Sequence, residues 1–93
     1  HTYTTPEIRV DCPDNRKFHL VDKVTRFFKA RYEVIDIDGA RILFDGGWGL
    51  VRASNTQPAL VLRFEAVSRE RLEEIRRQVE SVIQEMEREE GTG

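Results

Sequence analysis

Apolar and polar positions along the chain switch three times between a period of two and a period near three and a half. A polar stretch, residues 1–6, ends at Pro6 and reads as a linker, and Glu7 to Asp11 then alternates as a first strand. Asp14, after Pro13, is placed to cap a helix whose Phe18, Leu20, Val21, Val24, Phe27 and Phe28 fall on one broad stripe. Tyr32 to Ile37 is β-branched and aromatic, Asp38-Gly39 signals a tight turn, and Ala40 to Phe44 returns as its partner. Asp45-Gly46-Gly47 supplies the next turn, with glycines that tolerate positive φ, and Trp48 to Ala53 forms the next strand. After a short polar loop, Ala59 to Ala66 alternates again: Leu60, Leu62, Phe64 and Ala66 share one face, Val61, Arg63 and Glu65 the other. Ser68 then caps a closing helix in which Leu72, Ile75, Val79, Val82, Ile83 and Met86 recur at spacings of three and four.

The predicted order is strand, helix, four strands, helix, which makes an α+β domain with a single antiparallel sheet and two helices packed on one face. Its expected bounds are a linker or hinge at 1–6, a domain at 7–88 and a frayed acidic tail at 89–93, where nothing apolar is left to bury. An i,i+4 pair, Glu73 with Arg77, is worth only ~0.3 kcal/mol on an exposed helix, so burial of the apolar stripe has to hold that helix in place.

Ninety-three residues, 39% hydrophobic and 34% charged, suit one small core. No apolar run approaches the roughly 20 residues that span a bilayer. The start at His1 reads as that of an excised fragment. Cys12 is the single cysteine, which removes an internal disulfide and a thiolate zinc site and fits a reducing, cytoplasmic setting. The net charge of -2 hides a basic helix in which Arg16, Lys17, Lys23, Arg26, Lys29 and Arg31 face one acid, Asp22. Such a cluster either attracts nucleic acid or anions, or is a solvated helix face.

Chemistry concentrates between the last two strands, in Arg52-Ala53-Ser54-Asn55-Thr56-Gln57-Pro58. Arg52 offers a fork of N–H donors matched to two oxygens of one phosphate, Ser54 and Thr56 offer hydroxyls, and Asn55 offers an amide. The competing reading is a plain connection whose Ser, Asn and Thr satisfy their own backbone. A structural turn has no need of a guanidinium at the strand end, whereas an anion does. Gly46, Gly47 and Trp48 serve a turn and packing, or a close ligand approach. Arg63 is a structural ion pair or a surface charge. His1 and His19 have no second ligand at metal spacing, and Cys12 reads as a small buried hydrophobe. No nucleophile with a partnered base, no acid pair and no aspartate cluster for Mg²⁺ is present.

The loop, preceded by Gly47-Trp48-Gly49-Leu50-Val51 and followed by Leu60-Val61-Leu62-Arg63-Phe64-Glu65-Ala66, resembles the phosphate-binding loop of the α-D-phosphohexomutases, in their phosphomannomutase/phosphoglucomutase branch. Tyr3 to Ile8 resembles the entry into that family's C-terminal domain, and Lys17-Phe18 the opening of its first helix. The resemblance implies a TATA-binding-protein-like fold, which gives no licence to infer DNA binding. It implies that Arg52, Ser54, Asn55 and Thr56 contact the phosphate of a hexose phosphate (glucose or mannose 1- or 6-phosphate, or the bisphosphate intermediate), with Gln57 outside that set. It further implies that the phosphoserine, the Mg²⁺ loop and the sugar-reading loop lie in other domains, so that this one is not catalytic alone and has no cofactor of its own. Asn55 resembles the mannose/glucose branch rather than the glucosamine branch. The competing classes are a nucleic-acid module using helix 17–31 with Arg41 or Arg52, and an interaction module docking through the closing helix.

Overall fold

The computed structural model describes the backbone of residues 1–92 and the side chains of residues 1–89; over the expected tail at 89–93 the backbone continues α2 to Thr92, and Gly93 lies outside what is described. The elements are β1 (Tyr3–Thr4), β2 (Ile8–Asp11), α1 (Asp14–Lys29), β3 (Glu33–Ile35), β4 (Ala40–Phe44), β5 (Gly47–Ala53), β6 (Ala59–Ala66) and α2 (Arg69–Thr92). All strand pairs are antiparallel, in the order β1-β6-β5-β4-β3, with β2 also on β6. The α+β class is therefore as expected, with one short strand more than the pattern indicated.

That extra strand joins β2 into a single kinked edge. Tyr3 pairs with Ala66 and Ile8 with Leu62, so the register slips by one residue between them. Pro6 has no N–H for the ladder. Thr5 bridges the break: its N–H donates to the Phe64 carbonyl at 3.0 Å, and its hydroxyl accepts from the Phe64 N–H at 3.2 Å. The result is a bulge at Pro6-Glu7, and the residues read as a linker are partly sheet.

Register puts Ile42, Val51, Leu62 and Phe64 on one face of the sheet, with Leu20, Val24 and Phe28 of α1 and Ile75, Val79 and Ile83 of α2 against them. Each of these side chains is at most 2% exposed. On α1 the innermost line is Lys17, Leu20, Val24 and Phe28, spaced at three and four, which turns Phe18 outward to 60% exposure. The N-cap is Pro13, without a side-chain bond, and Asp14 is the first helical residue; its carboxylate pairs with Lys17 at 2.9 Å instead of capping. Ser68 does cap α2, its hydroxyl accepting from the Arg71 N–H at 3.1 Å. Among the described residues, the ion pairs within α2 are Arg71–Glu74, Arg76–Glu80 and Arg88–Glu85 rather than Glu73–Arg77.

Two hairpin turns set the geometry beside the loop. Asp38 and Gly39 both have positive φ, 56° and 100°, and turn β3 into β4. Asp45-Gly46 turns β4 into β5, with φ of 81° at Gly46. Gly47 is small for another reason: a Cβ there would lie 2.3 Å from the Glu65 carbonyl oxygen and 2.7 Å from Ile75 Cδ1 of α2.

Candidate functional site

The polar loop is closed like a short hairpin. Ser54 N–H donates to the Ala59 carbonyl at 2.9 Å, and Ala59 N–H donates to the Gln57 carbonyl at 2.8 Å. Ser54, only 9% exposed, turns its hydroxyl inward, where Oγ accepts from the N–H groups of Thr56 at 3.3 Å and Gln57 at 3.2 Å. This is the self-satisfying arrangement of an ST-turn, and it leaves the Ser54 hydroxyl proton to donate elsewhere. Asn55, Thr56 and Gln57 are exposed, and among the described residues no hydrogen bond engages the Asn55 amide or the Thr56 hydroxyl.

Arg52 stands on the sheet face opposite the helices, across β6 from Glu7. Its guanidinium lies 3.9 Å from the Glu7 carboxylate, beyond hydrogen-bonding reach, with the side chain 30% exposed. Among the described residues the guanidinium has no hydrogen-bond acceptor, and no bond ties it to Ser54, Asn55 or Thr56. The structure thus places the four residues within one strand end and its loop, joins Ser54 to Thr56 through the backbone, and leaves the Arg52 fork open toward solvent. A cleft of about 280 Å³ on the same face is lined by Ile35, Ile37, Asp38, Arg41, Leu50 and Arg52.

Three residues that sequence reasoning left out of the site touch it. Gly39 packs against Arg52 so closely that a Cβ would sit 2.6 Å from Arg52 Cβ. Glu7 is the carboxylate nearest the guanidinium. Lys17, 4% exposed, donates from Nζ to the Gln57 carbonyl at 3.0 Å. The positive φ of Gly39 was legible as a turn; the neighbours it brings together were not.

The remaining candidates resolve as scaffold. Trp48 is half-buried, with the Arg41 guanidinium 4.6 Å from its ring centroid. Arg63 is exposed, with no ion pair among the described residues. Cys12 is buried in the core and its N–H donates to the Pro58 carbonyl at 2.9 Å, which fastens the loop exit. Among the described residues no group of three His, Cys, Asp or Glu side chains could hold a metal ion, and no helix is long and apolar enough to cross a membrane.

The basic helix is largely neutralised where it stands. Lys17 pairs with Asp14, Lys23 with Glu89, Arg26 with Asp22 and Lys29 with Asp36. Arg31 stacks 3.7 Å from the Phe27 ring centroid. The Lys29 bond to Asp36, at 2.6 Å, together with the charge of that ammonium, holds the Asp36 carboxyl below the ordinary 3.8. With four of its six cations in ion pairs, the segment offers less to a phosphodiester backbone than its charge alone suggests.

One antiparallel sheet with two helices on one face defines the class as a small α+β domain, with its polar loop fastened at both ends. The comparisons make it specific. The chain matches the family described as "Phosphoglucomutase/phosphomannomutase, C-terminal domain" over residues 7–82, and it belongs to that family. It is 43% identical over 84 residues to a phosphoglucomutase of Neisseria meningitidis, covering 87% of this chain and 18% of that protein. It is 47% identical over 74 residues to a phosphomannomutase/phosphoglucomutase of Pseudomonas putida, covering 78% and 16%. A crystal structure of a phosphoglucomutase/phosphomannomutase family protein from Burkholderia thailandensis superposes with a TM-score of 0.77 at 34% identity, covering 94% of this chain and 18% of the other. The chain thus spans less than a fifth of the length of these relatives.

Proposed function

We propose that this domain holds the phosphate that is not being transferred when a longer phosphomannomutase/phosphoglucomutase interconverts hexose 1- and 6-phosphates. The observation that carries the reading is the Arg52 fork, part-buried and without a hydrogen-bond acceptor among the described residues, beside the unengaged Asn55 amide and Thr56 hydroxyl in a family-matched region. In this reading Arg52 binds two phosphate oxygens side by side. Asn55 and Thr56 donate to the remaining oxygen positions. Ser54, its Oγ already accepting two N–H bonds, donates its proton outward while it keeps the loop closed. Such a site reads a tetrahedral dianion and not the sugar, so the hexose can sit in either orientation, as two successive half-reactions on opposite ends require.

In this reading phosphoryl transfer and Mg²⁺ belong to other domains. The partners are a hexose phosphate and those domains, and the setting is cytoplasmic. Closure of this domain over the substrate would exclude water and fix the phosphate. The pairing of Tyr3–Thr4 with β6 and the Thr5 bonds to Phe64 tie residues 3–5 to the sheet, so the pivot for closure lies before Tyr3 rather than across all of 1–6.

The test is kinetic, in a full-length enzyme carrying this domain. Arg52→Ala costs ~2–5 kcal/mol in kcat/KM if the pair to phosphate is desolvated. Arg52→Lys stays damaging because the planar fork is lost. Near wild-type kcat/KM in either variant would refute the assignment.

A further inference from the structure

Lys17 is the oddest residue of the core face. Its place on the inner line of α1, three residues before Leu20, calls for an apolar side chain, yet it carries an ammonium on a side chain only 5% exposed. A buried cation is costly unless its N–H groups are bonded and a counter-charge is near. Both are supplied: Nζ lies 2.9 Å from Asp14 Oδ1 and 3.0 Å from the Gln57 carbonyl oxygen, with the Phe18 ring centroid at 5.3 Å. The Asp14 side chain is 74% exposed, so one partner is screened by water while the carbonyl bond is the inward one. The bond spans 40 residues in sequence and joins the first turn of α1 to the last turn of the polar loop.

We propose that Lys17 is a positioning residue for anion binding by the Ser54–Gln57 loop, a step that rests on the phosphate reading and deepens it. Its role is double. By fixing the Gln57 carbonyl, which also accepts from Ala59 N–H at 2.8 Å, it holds the turn in which Ser54 Oγ faces the N–H groups of Thr56 and Gln57. It also keeps one positive charge in a part-buried place directly behind that turn, where attraction to a dianion is screened less than at the surface. Gln57 contributes its backbone oxygen while its side chain is exposed, so the identity of its side chain matters little to the grip.

The experiment titrates inorganic phosphate into this 93-residue chain, labelled with ¹⁵N, as wild type, Lys17→Met and Lys17→Arg. It follows the amides of residues 54–57 and, in the wild type, the Lys17 Nζ resonance. The expected result is saturable shifts of the loop amides and of Lys17 Nζ with one common midpoint. Lys17→Met, of similar length without charge or donor, should bind about tenfold more weakly, or ~1.4 kcal/mol, while its sheet amides keep their dispersion. Lys17→Arg should recover part of the loss, and amide exchange at Thr56 and Gln57 should quicken in Lys17→Met. Wild-type loop shifts together with unchanged affinity in Lys17→Met would overturn the role of Lys17 and leave the phosphate reading standing. An absence of loop shifts in the wild type would overturn both. If Lys17→Met does not fold, the wild type decides: a Lys17 Nζ resonance that stays fixed while the loop amides saturate would overturn the proposal.

Discussion

Replacing Gly39 by alanine tests how the 36–39 turn shapes the site, and Gly46→Ala is its internal control. Gly39 has φ of +100°, and an added Cβ would meet Arg52 Cβ at 2.6 Å, the Val51 carbonyl oxygen at 2.7 Å and Arg52 Cα at 3.1 Å. Two of these three atoms are backbone, so no rotamer change relieves the contact. Gly46 shares the positive φ, +81°, but its nearest neighbour would be Val67 Cγ2 at 3.4 Å, an ordinary contact. The left-handed backbone costs an L-residue ~1–2 kcal/mol, and forcing a methyl into filled space adds ~1–3 kcal/mol. Gly46→Ala should therefore lose ~1–2 kcal/mol and Gly39→Ala ~2–5 kcal/mol. In a domain of this size each kilocalorie moves Tm by ~4–8 °C, so the two variants separate clearly in a thermal melt or a urea titration. Because the clash falls on Arg52 itself, phosphate affinity should drop in Gly39→Ala and hold in Gly46→Ala. Equal destabilisation of the two variants would refute the claim that close approach to Arg52 is what Gly39 provides.

Other consequences are open to direct measurement. Ser54→Ala removes the acceptor of the Thr56 and Gln57 N–H groups and should cost ~1–2 kcal/mol in urea unfolding, with loss of phosphate affinity, while Ser54→Thr retains both. The Asp36 carboxyl should titrate below 3.8 by NMR and return upward in Lys29→Ala. Since the folded value is the lower one, the contribution of this pair to stability is present above the unfolded value, ~3.9, and fades as pH falls through the folded value. An Asp36 titration unmoved by Lys29→Ala would show that the pair does not form in solution.

The strands and α2 were legible because each has one buried face, so that a one-residue slip would bury Arg63 or Glu65 in place of Leu62 or Phe64. The Ser68 cap was legible because the motif is local. What escaped depends on distant partners. On α1, hydropathy favours Phe18 as a core residue over Lys17, and it takes the Gln57 carbonyl, 40 residues away, together with the Asp14 carboxylate to make a lysine acceptable inside. β1 is two residues long and is followed by the two Thr5 bonds to Phe64, one of them to a side-chain hydroxyl, which no period of hydrophobicity reports. At the loop, residue types pointed to Arg52, Ser54, Asn55 and Thr56 as donors. That Ser54 accepts two backbone N–H bonds with its oxygen while its hydroxyl proton stays available to donate was decided by the folded geometry.

The most direct test of the central claim is a titration of this domain with glucose 1-phosphate, followed by backbone amide NMR, with glucose alone and Arg52→Ala as controls. Half of a clamp binds weakly, at about millimolar Kd or ~4 kcal/mol. The account predicts saturable shifts centred on Arg52 to Thr56 that vanish in Arg52→Ala and do not occur with glucose. Equal shifts with glucose, or shifts that survive Arg52→Ala unchanged, would contradict it.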